Sequence, residues 1–291
     1  MRVAALNLYP LKGARAVGAD RVSVQPRGFM GDRRWMVVTP DGLFATQRSH
    51  PRLATVTAIP FGAGLKLSAP DAGDVVVPRP TSGERRDVTV WDSRVSAAVA
   101  DPSAHAWLSD YFGEPLMLVH MDALADRRKD GIWVEAPIPV SFADAYPVLV
   151  ATTGSLGAIN AEIVRHGGAA VTMTRFRPNV VIDCDEAWRE DFWKVLRIGS
   201  AELELVKPCD RCIVTTTDQA TGERRGQEPL ISLARLRMSG DRRINGVLFG
   251  WNSAPRVLGS VAVGDRVEVL EERPEGFPIR RPGLSLSNTG S

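Results

Sequence analysis

WMVVTPDGLFATQ, residues 35–47, decides the fold class: two runs rich in β-formers flank Pro40-Asp41-Gly42. Proline presets the backbone of a turn, aspartate bonds back to its own chain, and glycine accepts left-handed geometry, so the stretch predicts a β-hairpin. Outward toward the N-terminus, RVAALNLYPLKG (2–13) alternates apolar residues and breaks at Pro10, as a strand leading into a loop does. Outward the other way, strand-like segments recur at LKLSA (65–69), DVVVP (74–78) and DVTVW (87–91). SAHAWLSDYFGEP (103–115) then predicts an amphipathic helix stopped by Gly113 and Pro115. Farther on, strands are expected at 146–151, 178–183, 193–199, 201–208, 211–217 and 265–272, with helices over 155–166 and 228–237. Many short strands with few helices predict an α+β, β-rich chain: an N-terminal β domain with helices, and a β-barrel domain. The polar stretch MDALADRRKDGIWVEAPIP (121–139) sets the expected boundary, giving domains at 1–120 and 121–272. Residues 273–291, polar and rich in Pro and Gly, are expected to form a disordered tail.

The chain has 291 residues, 44% apolar and 24% charged, enough for two cores. Thirty-six Lys and Arg against 34 Asp and Glu leave a net charge of +2, which supplies no broad field for nucleic acid or an anionic membrane. The N-terminal segment is interrupted early by Pro10, Lys12 and Arg15 and predicts no signal peptide, and no run reaches the ~18 apolar residues of a membrane span. Three cysteines, an odd number, argue against a disulfide framework and suit a reducing compartment. A cytoplasmic protein without a membrane partner is the expectation.

Cys209 and Cys212 form a Cys-x-x-Cys step in KPCDRCIVTTTD (207–218), with Lys207 and Arg211 beside them. Nearby positive charge favours the thiolate, which is both the metal-binding and the nucleophilic form. A structural zinc site would need a second pair or two histidines, and the remaining candidates, Cys184 and His50, His105, His120 and His166, are scattered. A thioredoxin-like pair would open a helix, whereas IVTTTD is β-branched. Two buried small residues remain the bland alternative. Around the pair the chain carries the basic loops LYPLKGAR, GFMGDRRW, TQRSHPRL and TRFRPN, whose Arg, Lys, Thr and Asn suit a phosphate-bearing ligand. His50 could reach such a ligand or simply be solvated, Asp210 could act as an acid or merely end the strand, and Cys184 reads as a buried thiol.

The order of these motifs resembles the MOSC family, in its two-domain branch with an N-terminal MOSC-associated β domain; that branch includes the mitochondrial amidoxime-reducing components and their bacterial counterparts. The matching elements are NLYPLKG (7–13), GDRRWMVV (31–38), ATQRSHPRL (45–53), VWDSRV (90–95), FRPNVVID (176–183), IGSAELELVKPCDRCIVTTTDQATG (198–222), LFGWN (248–252) and VGDRVEVL (263–270). The resemblance implies a molybdenum cofactor (Mo-molybdopterin) whose phosphate lies in a basic cleft between domains, with one protein cysteine on the metal. Matched by motif, Lys12 falls on the cofactor-binding lysine of P-x-K and Arg33 on the arginine of D-R-x-W. Arg177 and Asn179 match R-P-N, and Thr152 or Thr153 matches a Ser/Thr-rich strand end. The metal ligand falls at Cys212, with Cys209 its neighbour in the cofactor site. Gly13, counted among the cofactor-binding positions, stands where relatives usually carry serine, a departure that removes one side-chain hydroxyl contact. The implied activity is reduction of small N-hydroxylated or N-oxygenated substrates. With no ferredoxin-like domain after residue 270 and no N-terminal anchor, electrons are expected from a separate donor protein of the ferredoxin or cytochrome/flavin-reductase type. The runner-up is a molybdenum-cofactor or persulfide carrier, since a reactive thiol in a basic site serves both roles. An unrelated β-rich protein with incidental cysteines is the third reading.

Overall fold

Val3 and Leu6 turn into a core while Arg2 and Ala4 face out, and the inside-outside period of the first strand slips at a bulge between Val3 and Ala5. This computed structural model describes residues 1–81 and 83–280. Along the chain the strands begin with β1 (Arg2–Leu8), β2 (Val17–Gly18), β3 (Arg21–Gln25), β4 (Gly28–Phe29) and β5 (Trp35–Val38). Next come β6 (Thr57–Phe61), β7 (Gly64–Ala69), β8 (Gly73–Pro78), β9 (Arg85–Val90) and β10 (Ser93–Val99), then helix α1 (Pro102–Phe112) and β11 (Met117–His120). A small ladder, β12 (Arg128–Lys129) with β13 (Ile138–Pro139), leads to β14 (Val148–Thr152), helix α2 (Thr153–Arg165) and β15 (Val180–Asp183). The chain continues through β16 (Trp193–Ile198), β17 (Ala201–Asp210), helix α3 (Leu230–Leu236), β18 (Leu248–Val257), β19 (Gly259–Ala262) and β20 (Val267–Glu272).

The hairpin expected at 35–47 is present. Thr39 N donates to Leu43 O at 2.8 Å and Val38 bridges Phe44. Gly42 sits at φ +85° with Asp87 O only 2.7 Å from where a Cβ would lie, so the turn has room for nothing larger. A four-stranded sheet runs in the order β5-β11-β10-β9, and β6, β7 and β8 form a second, three-stranded one. The largest sheet has eight strands in the order β2-β1-β15-β14-β18-β17-β16-β20, antiparallel except for β14 beside β15, which α2 connects. The result is the expected β-rich α+β architecture, and no helix among the described residues is long and apolar enough to cross a membrane.

Sequence neighbours are not always sheet neighbours. β1 pairs with β15 and β3 with β19, so Val3, Leu6, Val22, Val24 and Phe29 share a core with Trp193, Leu203 and Trp251 of the C-terminal half. Two expectations are corrected. Residues 213–216 are a 3-10 turn instead of a strand: Thr215 and Thr216 turn their hydroxyls back onto the carbonyls of Cys212 (2.9 Å) and Ile213 (2.8 Å), satisfying the backbone locally. The tail expected to be disordered from 273 is packed as far as 280, because Phe277 is buried against Trp251 and Arg280 N donates to Met238 O at 2.8 Å. The rest of that expected tail, 281–291, lies outside the described residues.

Candidate functional site

A cleft of about 370 Å³ opens where the N-terminal loops meet the ends of β15 and β17. Its cationic end begins where β1 breaks at Pro10 and Leu11 bridges Trp35, with Lys12 N donating to Trp35 O at 2.8 Å. That anchoring sends the Lys12 side chain inward, 6% exposed, where Nζ donates to Phe142 O (2.8 Å) and to the Asp144 carboxylate. Burial pushes the ammonium down to about 8, even though Asp144 pulls it upward. Burial acts to raise the Asp144 carboxyl too, but the Lys12 charge and hydrogen bond outweigh it and hold the group well below the usual carboxylate range. Gly13 adopts φ +85°, and its carbonyl accepts from Gln47 Nε2 at 2.7 Å.

Two arginines in left-handed backbone geometry lie over the ring of Tyr9. Arg33 (φ 49°) and Arg177 (φ 56°) hold their guanidinium carbons 4.7 and 4.3 Å from the Tyr9 ring centre. Arg33 pairs with the buried Asp32 and donates to Asn179 Oδ1 at 2.9 Å; Arg177 donates to Ala14 O at 2.8 Å and Gln219 Oε1 at 3.1 Å. Left-handed geometry in a non-glycine residue costs about 1–3 kcal/mol, and the surrounding bonds hold it in place. Burial pushes Arg177 down to about 10 and Tyr9 up to about 12.

At the other end β17 stops at Asp210 and delivers both thiols. Arg211 Nη1 donates to Cys209 Sγ at 2.8 Å, and Arg48, from the loop after the hairpin, donates to Cys212 Sγ at 3.2 Å. Arg48 lies 4.5 Å from the centre of the Trp91 ring, and the Trp91 indole donates to Asp144 at 3.0 Å. The expectation that Lys207 and Arg211 lower the neighbouring thiol is corrected for Cys209. Burial pushes it up, Arg211 only partly offsets this, and Lys207 is paired with Asp210 at 2.7 Å.

Lys12, Gly13, Arg33, Arg177, Asn179, Cys209 and Cys212 all border this one cleft. Thr152 and Thr153 do not. Thr152 is fully buried as the N-cap of α2: its hydroxyl accepts from Ser155 N at 3.2 Å and donates to Glu190 at 3.0 Å. Thr153 Oγ1 accepts from Cys184 N at 3.1 Å. A threonine at a strand end serves a helix cap or an anion with the same atoms, so sequence could not separate the two. His50 pairs with Glu114 at 2.8 Å, and Cys184 is buried. Asp210 borders the cleft, tied to Lys207. Sequence reading noted Arg211 only as a neighbour of the thiols and did not single out Tyr9, Gln47, Arg48, Trp91, Asp144 or Asn252 for the site, although Tyr9, Gln47 and Arg48 stood in the basic loops and Trp91 and Asn252 in the matched motifs.

The donor set fits an anionic, sulfur-bearing group. Lys12, Arg33, Arg48, Arg177, Lys207 and Arg211 outnumber Asp144 and Asp210, Arg211 Nε is buried without a partner, and two soft sulfur atoms stand beside them. Among the described residues no three His, Cys, Asp or Glu side chains converge, so a metal here would take most of its ligands from its own cofactor.

Residues 1–115 match the MOSC N-terminal beta barrel domain and residues 137–268 match the MOSC domain. The chain is 30% identical over 283 residues to mitochondrial amidoxime-reducing component 1 of Xenopus laevis, covering 91% of this chain and 81% of that protein. It is 29% identical over 282 residues to the Homo sapiens component 1 (92% and 82% covered) and 30% identical over 279 residues to the Homo sapiens component 2 (91% and 82%).

Proposed function

Because the chain belongs to the MOSC family in its two-domain form, we propose that it is a molybdenum-cofactor reductase of N-oxygenated compounds, supplied with electrons by a separate protein. One observation carries the proposal: Lys12, Arg33, Arg177 and Asn179, remote in sequence, meet in a cleft that also contains both thiols of the Cys-x-x-Cys step. Relatives named for amidoxime reduction over nearly the whole chain support the choice of reaction. The cofactor, when bound, supplies oxygen-atom transfer and two-electron chemistry.

The chain's own residues do the rest. Lys12 and the two left-handed arginines would present charge to the cofactor's phosphate, and the Tyr9 ring, in contact with both arginines, keeps them in place. Cys212 offers the metal a thiolate at the mouth of the β17 turn, with Arg48 neutralising its charge. Cys209, its thiol pushed up by burial, stands beside it. Reduction of an N–OH group to N–H and water takes up two protons and two electrons. The three unpaired cysteines suit a reducing cytoplasm, where we place the protein.

Protein made in a host able to synthesise the cofactor should contain molybdenum and pterin and should reduce an amidoxime when given a chemical reductant. Cys212→Ser should abolish turnover and alter the molybdenum–sulfur spectrum, whereas Cys209→Ser should keep measurable turnover and the same sulfur coordination. The reverse pattern would move the metal ligand to Cys209. Full activity and unchanged spectra in both variants would remove the centre of the proposal.

A further inference from the structure

Asn252 stands in β18 with Leu149 of β14 and Lys207 of β17 as its cross-strand neighbours, so the three make one row across the sheet. All three border the cleft. Asn252 is 6% exposed, and its Nδ2 is shut off from solvent without a hydrogen-bond partner. Leaving a buried amide donor unmet is costly, and native folds rarely do so without a use for the group. The contrast with the other asparagine of the cleft is direct. Asn179 is fully engaged, donating to Asn7 O at 3.1 Å and accepting from Leu149 N at 3.1 Å and from Arg33 at 2.9 Å.

The charged groups beside it bond elsewhere, with only the buried Nε of Arg211 left unmet. Lys207 is paired with Asp210, and Arg211 spends its two terminal nitrogens on Cys209 Sγ and Phe176 O. None of these bonds reaches Asn252. Its neighbours place it between the two ends of the cleft: Lys207 lies two residues before Cys209 on β17, roughly 7 Å along a strand, and Leu149 N is bonded to Asn179 on the other side. A carboxamide is flat, with donor and acceptor side by side, and a half-turn about Cβ–Cγ exchanges which of them looks into the cleft.

We propose that Asn252 is a specificity residue of this cleft, hydrogen-bonding a planar nitrogen-bearing edge that offers a donor beside an acceptor, as an amidoxime does. The inference rests on the reductase reading for the nature of its ligand. Such an edge is carried by the substrate and also by the pterin ring of the cofactor, and the measurements below separate them.

Asn252→Leu keeps the volume of the side chain and removes both hydrogen-bonding atoms; Asn252→Ala serves as a second variant should leucine impair folding. For each, molybdenum and pterin per chain are measured, together with the Kd of benzamidoxime for the oxidised protein without reductant, and kcat and KM with reduced viologen. If the edge is the substrate's, Kd and KM for benzamidoxime rise about three- to ten-fold while cofactor content and kcat hold. Pyridine N-oxide, which has no N–H donor, then shows a smaller change. If the edge is the pterin's, cofactor content falls and the KM of the remaining holoprotein holds, which also supports the contact. Folded variants that leave cofactor content, Kd and KM all unchanged overturn the inference. Wild-type protein that holds molybdenum but reduces no amidoxime would instead sink the reductase reading, and the Kd comparison would still test Asn252.

Discussion

Lys12 shows how one buried charge can set a pH window. Below about 8 the side chain is an ammonium inside the fold; above that it loses its proton, while an unfolded chain would keep it up to the ordinary 10.5. The unfolded state therefore binds more protons between those values, so the Lys12 contribution makes stability rise with pH through that window. Anion binding runs the other way. The cofactor-free protein should bind inorganic sulfate, whose own charge is constant in this range, with an affinity that is flat to near neutrality. Above pH 8 it should fall by up to about ten-fold per pH unit, as one linked proton dictates. Lys12→Arg should keep binding through pH 9, since guanidinium stays charged. A titration in which the wild-type affinity stays level to pH 9 would show that Lys12 does not face the anion. Arg177 belongs to the same end. A charge-assisted contact is worth about 1.5–3 kcal/mol, so Arg177→Ala should lower molybdenum retention in the purified protein by about ten-fold or more. Unchanged occupancy would place the cofactor elsewhere.

Among elements, the start of α2 separates a structural from a binding role. Thr152 caps the helix and bonds to the buried Glu190, whose carboxyl burial pushes up and whose Oε1 has no partner. Thr152→Val should destabilise the protein by about 1–2 kcal/mol, the cost of a lost cap. Molybdenum per folded chain should not change. Loss of cofactor without loss of melting temperature would return Thr152 to the site. The turn after Cys212 makes a related point. IVTTTD has strand-forming composition, yet it folds as a 3-10 turn because threonine hydroxyls can replace ladder partners at a sheet's end. That turn swings the chain toward Gln219, whose amide exchanges hydrogen bonds with Gln47 at 2.9 and 3.0 Å, joining the cysteine segment to the loop that bears Arg48.

For the molecule as a whole, the decisive fact is that β1 and β3 complete the sheets of the C-terminal half. A fragment of residues 121–280 would lack Val3, Leu6, Val22, Val24 and Phe29 from its core and should not fold cooperatively. Circular dichroism and amide exchange on that fragment check this, and adding a peptide of residues 1–30 should recover order; a sharp thermal transition in the fragment alone would contradict it. The full chain should melt in one step. Period-two patterning, Pro40-Asp41-Gly42 and the Gly113 stop of α1 were legible without a structure, because they depend on bonds between near neighbours. The Lys12, Arg33, Arg177 and Asn179 set was legible only through its motifs. Tyr9 against two arginines, Asp144 on Lys12, Arg48 on Cys212 and the unmet amide of Asn252 were decided by tertiary structure alone. Each is a contact between residues more than twenty positions apart or, for Asn252, a missing one, and nothing in local composition distinguishes a charge that meets solvent from one that meets another buried group.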